Sequence, residues 1–190
     1  MLTAEERKNL LDLARAALAA AVKGTPAPEL PADLSPGLAA ESGAFVTLNR
    51  GRRLRGCIGL LESQRPLAET VIDMAGAAAR HDPRFSPVAS GELKDLQLEI
   101  SVLSPLKRVG SAAEIELGQD GVLVRQGRRS GVFLPQVARE TGWGKERFLN
   151  ELCESKAGLA PDAWKQPECE LFTFTVEMVG PEPFAGEAPK

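Results

Sequence analysis

The chain has no tyrosine, one histidine, two tryptophans and three cysteines among its 190 residues. Each scarcity closes off a class of chemistry. A structural zinc site takes about four Cys or His ligands at local spacings; His81 stands alone, and Cys57, Cys153 and Cys169 lie far apart along the chain. No metal site is expected. There is no Cys-x-x-Cys pair and no three-cysteine signature of an iron–sulfur radical enzyme, and an odd number of thiols cannot all pair. This usage reads as that of a reducing cytoplasm, and it specifies no cofactor. No apolar run approaches the roughly 18 residues of a membrane span, and the opening MLTAEERKNL reads as a helix rather than the apolar core of a secretory signal. The net charge of -3 argues against wholesale coating of nucleic acid or membrane, so any anion site has to be local.

What remains has the composition of an ordinary soluble domain, with 43% hydrophobic and 26% charged residues. Thr3 and Glu6 form a capping box ahead of Leu10, Leu13, Ala14, Ala17, Leu18 and Ala21 at helical spacing. Gly24 and Pro26 end that helix, and TPAPELPADLSPGL is an extended connector. GAFVTLN and RLRGCIGLL flank the turn residues RGR and predict a β-hairpin. Pro66 suits the first position of a helix over LAETVIDMAGAAAR, and HDPRFSP breaks it. LQLEISVLS alternates as a strand, with Leu98, Ile100 and Val102 on one face and Glu99, Ser101 and Leu103 on the other. A second hairpin follows in DGVLVRQGRRSGVFLP, with its turn near Gly127. A helix then covers KERFLNELCESKAGL, and ECELFTFTVEMV reads as one last long strand. Helices mixed with antiparallel hairpins in this order predict an α+β fold, an antiparallel or mixed sheet packed by helices.

The segment NRGRRLRGCIGLL holds four arginines, three glycines and a cysteine within a strand-like pattern. Alternation sends Leu54, Gly56, Ile58 and Leu60 to one face and Arg55, Cys57 and Gly59 to the other. Two readings compete. In one, the glycines let a helix pack close overhead and Cys57 is a small buried residue. In the other, the Arg55 guanidinium favours the Cys57 thiolate and the missing side chain of Gly59 leaves room for a ligand. His81 and Asp82 suggest a Cys–His–Asp constellation, although a lone histidine at a helix C-terminus is already favourable through the helix dipole. In DPRF, Asp82 before Pro83 makes a turn that leaves Arg84 free to pair with a carboxylate. Glu99 and Ser101 share a strand face that either reaches the same region or is simply a solvated face. Cys153 and Cys169 read as structural. Arg50, Arg52 and Arg53 at one hairpin tip, and Arg125, Arg128 and Arg129 at the other, would clamp phosphates if folding juxtaposed them. Charged tips also serve solubility, and neither an aromatic RNA-binding motif nor a helix-turn-helix pattern is present.

LRGCIG at 54–59, DPRF at 82–85, LEISVLS at 98–104, GVFLPQV at 131–137 and KAGL at 156–159, in that order, resemble the AMMECR domain family. Its bacterial members are called protein A of the AmmeMemoRadiSam system. The resemblance implies an α+β protein with a larger and a smaller lobe and a cleft near the RGCIG segment. On this chain the domain would span 1–180, with the smaller lobe within 106–165 and a flexible tail over 181–190. Carried over residue by residue, the motif positions are Arg55, Gly56, Cys57, Ile58, Gly59, Asp82, Arg84, Ser101, Gln136 and Lys156. His81 is outside the pattern. The resemblance also implies partners, a Memo-like protein and a radical S-adenosylmethionine enzyme.

Three functions follow as alternatives. An enzyme or enzyme accessory would use Cys57 as nucleophile or substrate ligand, Arg55 to favour the thiolate, and Asp82 or Glu99 for proton transfer. Gly56, Gly59, Arg84, Glu99, Ser101, Gln136 and Lys156 would then line the ligand. A non-catalytic module would hold a small molecule or a protein on the same face. A nucleic-acid-associated regulator would rely on the hairpin arginines.

Overall fold

The computed structural model describes residues 1–184 of the chain. They divide into two compact units, Met1–Leu103 with the returning segment from Glu177, and Ser104–Val176. The fold class is α+β, with two four-stranded sheets and helices packed on them.

In the first unit, helix α1 (Ala4–Lys23) begins at the expected capping box, with Thr3 and Glu6 exchanging hydrogen bonds, and ends at Gly24 in the left-handed region at φ 71°. Its buried face is Leu10, Leu11, Ala14, Ala17, Leu18 and Val22. The short helix α2 (Pro36–Ala39) interrupts the connector. Glu6 pins that connector to α1, accepting from the Thr3 amide and also from Ser35 Oγ and the Gly37 amide, both at 2.8 Å. These bonds, the Thr3 amide's first, lower the Glu6 pKa to about 2 against the cost of burial.

Strands β1 (Ala44–Arg50) and β2 (Arg53–Leu60) form the first hairpin, turning at Gly51 with φ 59°. Helix α3 (Leu67–Arg80) follows, with Pro66 at its N-cap. Strand β3 (Leu96–Leu103) pairs antiparallel with β1. The sheet order is β2-β1-β3-β8, with β8 (Val176–Pro183) at the far edge. Val46, Leu48, Leu98 and Ile100 on one face of this sheet join Leu10, Leu18, Leu67 and Val71 from the helices in one fully buried core. Burial of each such large side chain is worth about 1.5–3 kcal/mol, so this covered face holds the sheet to the helices.

The second unit holds β4 (Lys107–Val109), β5 (Gly121–Gln126), β6 (Arg129–Phe133) and β7 (Glu170–Phe174), in the order β4-β7-β5-β6. Helices α4 (Pro135–Thr141) and α5 (Lys145–Glu151) follow the second hairpin, and α5 widens into a π-helical turn over Leu152–Ala157 that Gly158 ends. Phe148, Leu149, Leu152 and Cys153 are fully buried there, with the Phe133 and Phe148 rings 5.1 Å apart.

The last long strand expected over 168–179 is two strands in two sheets. The chain leaves β7 at Phe174, Thr175 is unpaired as strand, and β8 begins at Val176. Ser104 and Thr175 hold the changeover, the Ser104 amide donating to Thr175 O and the Thr175 amide to Ser104 Oγ. Phe172, Phe174, Val176 and Met178 alternate with Thr173, Thr175 and Glu177 straight across the changeover, so the pattern carries no mark of the switch. β8 also continues to Pro183, into the segment expected as a loose tail, because Phe184 packs on the first core and its amide donates to Leu96 O. The rest of that tail, 185–190, lies outside the described residues.

Candidate functional site

The register of the first hairpin sets Thr47 opposite Cys57, and the β1–β3 register sets Thr47 opposite Glu99. The three side chains therefore form a row across β2, β1 and β3 on the face turned away from the helices, and all three are half-buried. The Cys57 amide and carbonyl both point outward from the hairpin, to Asp82 and Arg84. Cys57 and Thr47 are thus a pair of the type without mutual backbone bonds, in which side chains approach most closely. Accordingly the Thr47 hydroxyl donates to Cys57 Sγ at 3.3 Å.

Asp82 and Arg84 come from the DPRF turn after α3. Asp82 Oδ2 accepts from the Cys57 amide at 2.8 Å and from Arg84 Nη2 at 2.7 Å. Its Oδ1 accepts from the Arg84 amide at 3.1 Å and from Arg84 Nε at 2.9 Å. Arg84 Nη2 closes the loop by donating to Cys57 O at 3.2 Å. The pair thereby satisfies the edge of β2 as a neighbouring strand would. The Asp82 side chain is 2% exposed and that of Arg84 55%. The Arg84 guanidinium holds the Asp82 carboxyl well below the usual range, against burial and with help from the two amides. Arg84 is in turn held more firmly protonated, first by Asp82 and to a lesser degree by Cys57.

The cation fastened to the Cys57 backbone is therefore Arg84, and Arg55, expected beside the thiol, is committed to Glu92 instead. Register passes from Leu48 opposite Gly56 to Asn49 opposite Leu54, so Arg55 is the extra residue of a β-bulge. Its guanidinium binds Glu92 through Nε and Nη2, both at 2.9 Å, and donates to Ser86 O and Pro87 O. Arg55 lowers the Glu92 carboxyl to about 2 and fastens the 3₁₀ turn Ser90–Asp95 to the hairpin. The same bulge exposes Leu54, which strict alternation assigned with Gly56 to the covered face.

Neither Gly59, expected to leave room for a ligand, nor Gly56, expected to line one, faces open space. A Cβ on Gly56 would strike Ala78 O of α3, so this glycine serves the close approach of a helix. A Cβ on Gly59 would strike the Phe45 ring, which already fills that space. Ser101 is 2% exposed, and its hydroxyl is turned to Met178 Sδ at 3.3 Å. Gln136 on α4 is half-buried and Lys156 in the π-helical turn is exposed; both belong to the second unit, where Lys156 Nζ lies 5.8 Å from the centre of the Phe133 ring. His81 is the exposed C-cap of α3. Asp82 has both oxygens committed and stays ionised, which makes it a clamp rather than a proton carrier. Glu99 is the reverse case: burial raises its carboxyl above the ordinary value, and among the described residues no hydrogen bond or ion pair engages it.

Thr47 and Glu92 are the members that sequence reasoning missed. Thr47 was legible only as the cross-strand partner of Cys57, once a register is known, and Glu92 carries no local signal. Cys153 and Cys169 are buried thiols whose pKa burial raises, to about 11 for Cys153. Of the hairpin arginines, Arg50 pairs with Asp95, Arg125 stacks over Phe172 and Arg129 donates to Gly158 O. Among the described residues no group of three or more His, Cys, Asp or Glu side chains converges as a metal site requires, and no helix is long and apolar enough to cross a membrane.

The AMMECR1 family model matches residues 11–179 of the chain. A protein of Methanothermobacter thermautotrophicus is 40% identical over 183 residues, covering 93% of this chain and 95% of the other. One of Thermococcus gammatolerans is 43% identical, covering 89% and 87%. The crystal structure of protein PH0010 from Pyrococcus horikoshii is similar with a TM-score of 0.82 at 40% identity, covering 90% of this chain and 88% of that one.

Proposed function

Because the chain belongs to the AMMECR1 family, we propose that its working centre is the Cys57 thiol on β2. The protein is an enzyme or enzyme accessory that uses this thiol as nucleophile or substrate ligand. Acyl or alkyl transfer to sulfur suits the site, with Arg84 holding an anionic group of the substrate. The observation that carries the reading is the setting of one sulfur: a hydroxyl donor 3.3 Å away and a guanidinium anchored by a buried carboxylate, at the only cysteine of the three that is not buried. Three free thiols fit a reducing cytoplasm. A Memo-like protein and a radical S-adenosylmethionine enzyme are the partners with which this centre acts, on the ground of family membership.

Alkylation tests the reading. Iodoacetamide at neutral pH should label Cys57 of the folded chain at least several times faster than the same cysteine in the denatured chain, while Cys153 and Cys169 stay unlabelled. A folded-state rate at or below the denatured rate would remove the activated thiol.

A further inference from the structure

We infer that the groove between α1 and the connector after it receives an extended segment of a partner protein, one in which apolar side chains alternate with lysine or arginine. The inference goes beyond the Cys57 centre and does not depend on it. The groove encloses about 730 Å³ and lies wholly within the first unit, a size typical of specific binding sites. One wall is a stripe of α1, with Glu5, Asn9 and Leu13 on successive turns and Asp12 beside them; the other is the connector over 31–36. The half-buried Leu13 and Leu34 and the buried Leu38 supply its apolar surface.

Glu6 ties the two walls together, since its carboxylate accepts from Ser35 Oγ and the Gly37 amide, both at 2.8 Å. The groove therefore exists before anything enters it, which spares an occupant the cost of ordering it. Charge then selects the occupant. Among the described residues that line the groove there is no Lys, Arg or His, whereas Glu5, Glu6, Asp12 and Asp33 all do so. Glu6 is spent on the connector, and Asp12 pairs with Arg15 at 3.0 Å. Glu5 and Asp33 are exposed, and among the described residues no hydrogen bond or ion pair engages them. The first turn of a helix favours an acid such as Glu5 through the helix dipole. Asp33 lies outside any helix, and no such local reason accounts for it. A basic occupant complements these carboxylates at the rim while its apolar side chains cover Leu13 and Leu34. From Glu5 to Leu13 the helix rises about 12 Å, the length of about four extended residues. In such a segment successive side chains point opposite ways, so the apolar ones turn to the leucines and the basic ones to the rim. This chain's own stretch of that pattern, Arg53-Leu54-Arg55, is locked in β2 with Arg55 bound to Glu92, so the segment comes from another protein.

Titration of the full chain with the end-capped pentapeptide Arg-Leu-Arg-Leu-Arg, followed by amide chemical shifts, tests this. Saturable shifts should appear at Glu5, Asn9, Leu13 and Leu34 at roughly millimolar peptide or below. The peptide Glu-Leu-Glu-Leu-Glu should cause none, and Arg-Ser-Arg-Ser-Arg should bind several-fold more weakly. Asp33→Lys reverses a charge at an exposed position and should weaken binding about tenfold or more. Glu5→Gln and Leu34→Ser should each weaken it several-fold, and Glu5→Gln serves if Leu34→Ser does not fold. Unchanged shifts in the rest of the first unit report that each variant is folded. The inference is overturned by shifts scattered over the acidic surface, by equal binding of the serine peptide, or by an Asp33→Lys variant that binds like wild type. Absence of any shift at millimolar peptide overturns it too. So do shifts at the same residues that grow with protein concentration alone, which would assign the groove to a second copy of this chain. None of these variants touches Cys57, so its alkylation rate reports separately on the thiol reading.

Discussion

The Asp82 carboxylate grips the Arg84 guanidinium at 2.7 and 2.9 Å and the Cys57 amide at 2.8 Å, so one buried side chain fixes both the strand edge and the cation beside the thiol. The clamp makes the position of the sulfur and that of its cation a single structural event. Acidification, or a change at any of the three residues, acts on the others.

The first prediction concerns acid. The carboxyl of Asp82 is depressed chiefly by Arg84, and that of Glu92, chiefly by Arg55, to about 2. A carboxyl whose folded pKa lies below its unfolded value stabilises the fold fully above the unfolded value, about 4, and loses that contribution as pH falls through the folded value. The urea midpoint should drop between pH 4 and pH 2. Asp82→Asn should start lower at pH 7, by about 1–3 kcal/mol for groups left without their charged partner, and should lose less on acidification.

The second separates the two arginines. Arg84→Gln should slow Cys57 alkylation at pH 7 several-fold, because the bonds that fix the Cys57 edge of β2 through Asp82 are lost. Arg55→Gln should leave that rate within about twofold. Its cost should instead be stability, about 1–3 kcal/mol from the bonds lost to Glu92, Ser86 and Pro87, read from urea unfolding.

The third uses the opposite sign at Glu99. Burial raises this carboxyl, so its ionisation works against folding once pH exceeds the unfolded value of about 4.3. Glu99→Gln should therefore unfold at higher urea than wild type at pH 7. The gain should vanish when both are measured below that value.

Gly56 supplies the fourth. Gly56→Ala places a methyl against Ala78 O of α3, an overpacking cost of about 1–3 kcal/mol or more. The melting temperature should fall and Cys57 should lose its alkylation advantage, since α3 leads directly into the Asp82 turn.

The fifth addresses the second unit. Phe148 is fully buried against Phe133, and Phe148→Ala should cost about 3–5 kcal/mol. Hydrogen exchange should accelerate across 104–176 and expose Cys153 to alkylation.

Much of this molecule is written locally. The Thr3–Glu6 capping box, the Gly24 stop, the Gly51 turn and the 98–102 alternation are decided by residues within a few positions of one another, so the sequence by itself determines α1, the first hairpin and β3. The motif residues place Cys57, Asp82 and Arg84 in one group before any contact is known. Three decisions were made elsewhere. Thr175 divides what reads as one strand because the halves find partners in different sheets. The bulge at Arg55 sends its guanidinium to Glu92 and leaves Arg84 beside the sulfur. The row Cys57–Thr47–Glu99 exists only through the pairing of β1 with β2 and β3. Caps, turns and periodicity are short-range and survive in any fold; register, bulges and sheet membership arise from competition among distant segments for the same backbone hydrogen bonds, which only the assembled structure resolves.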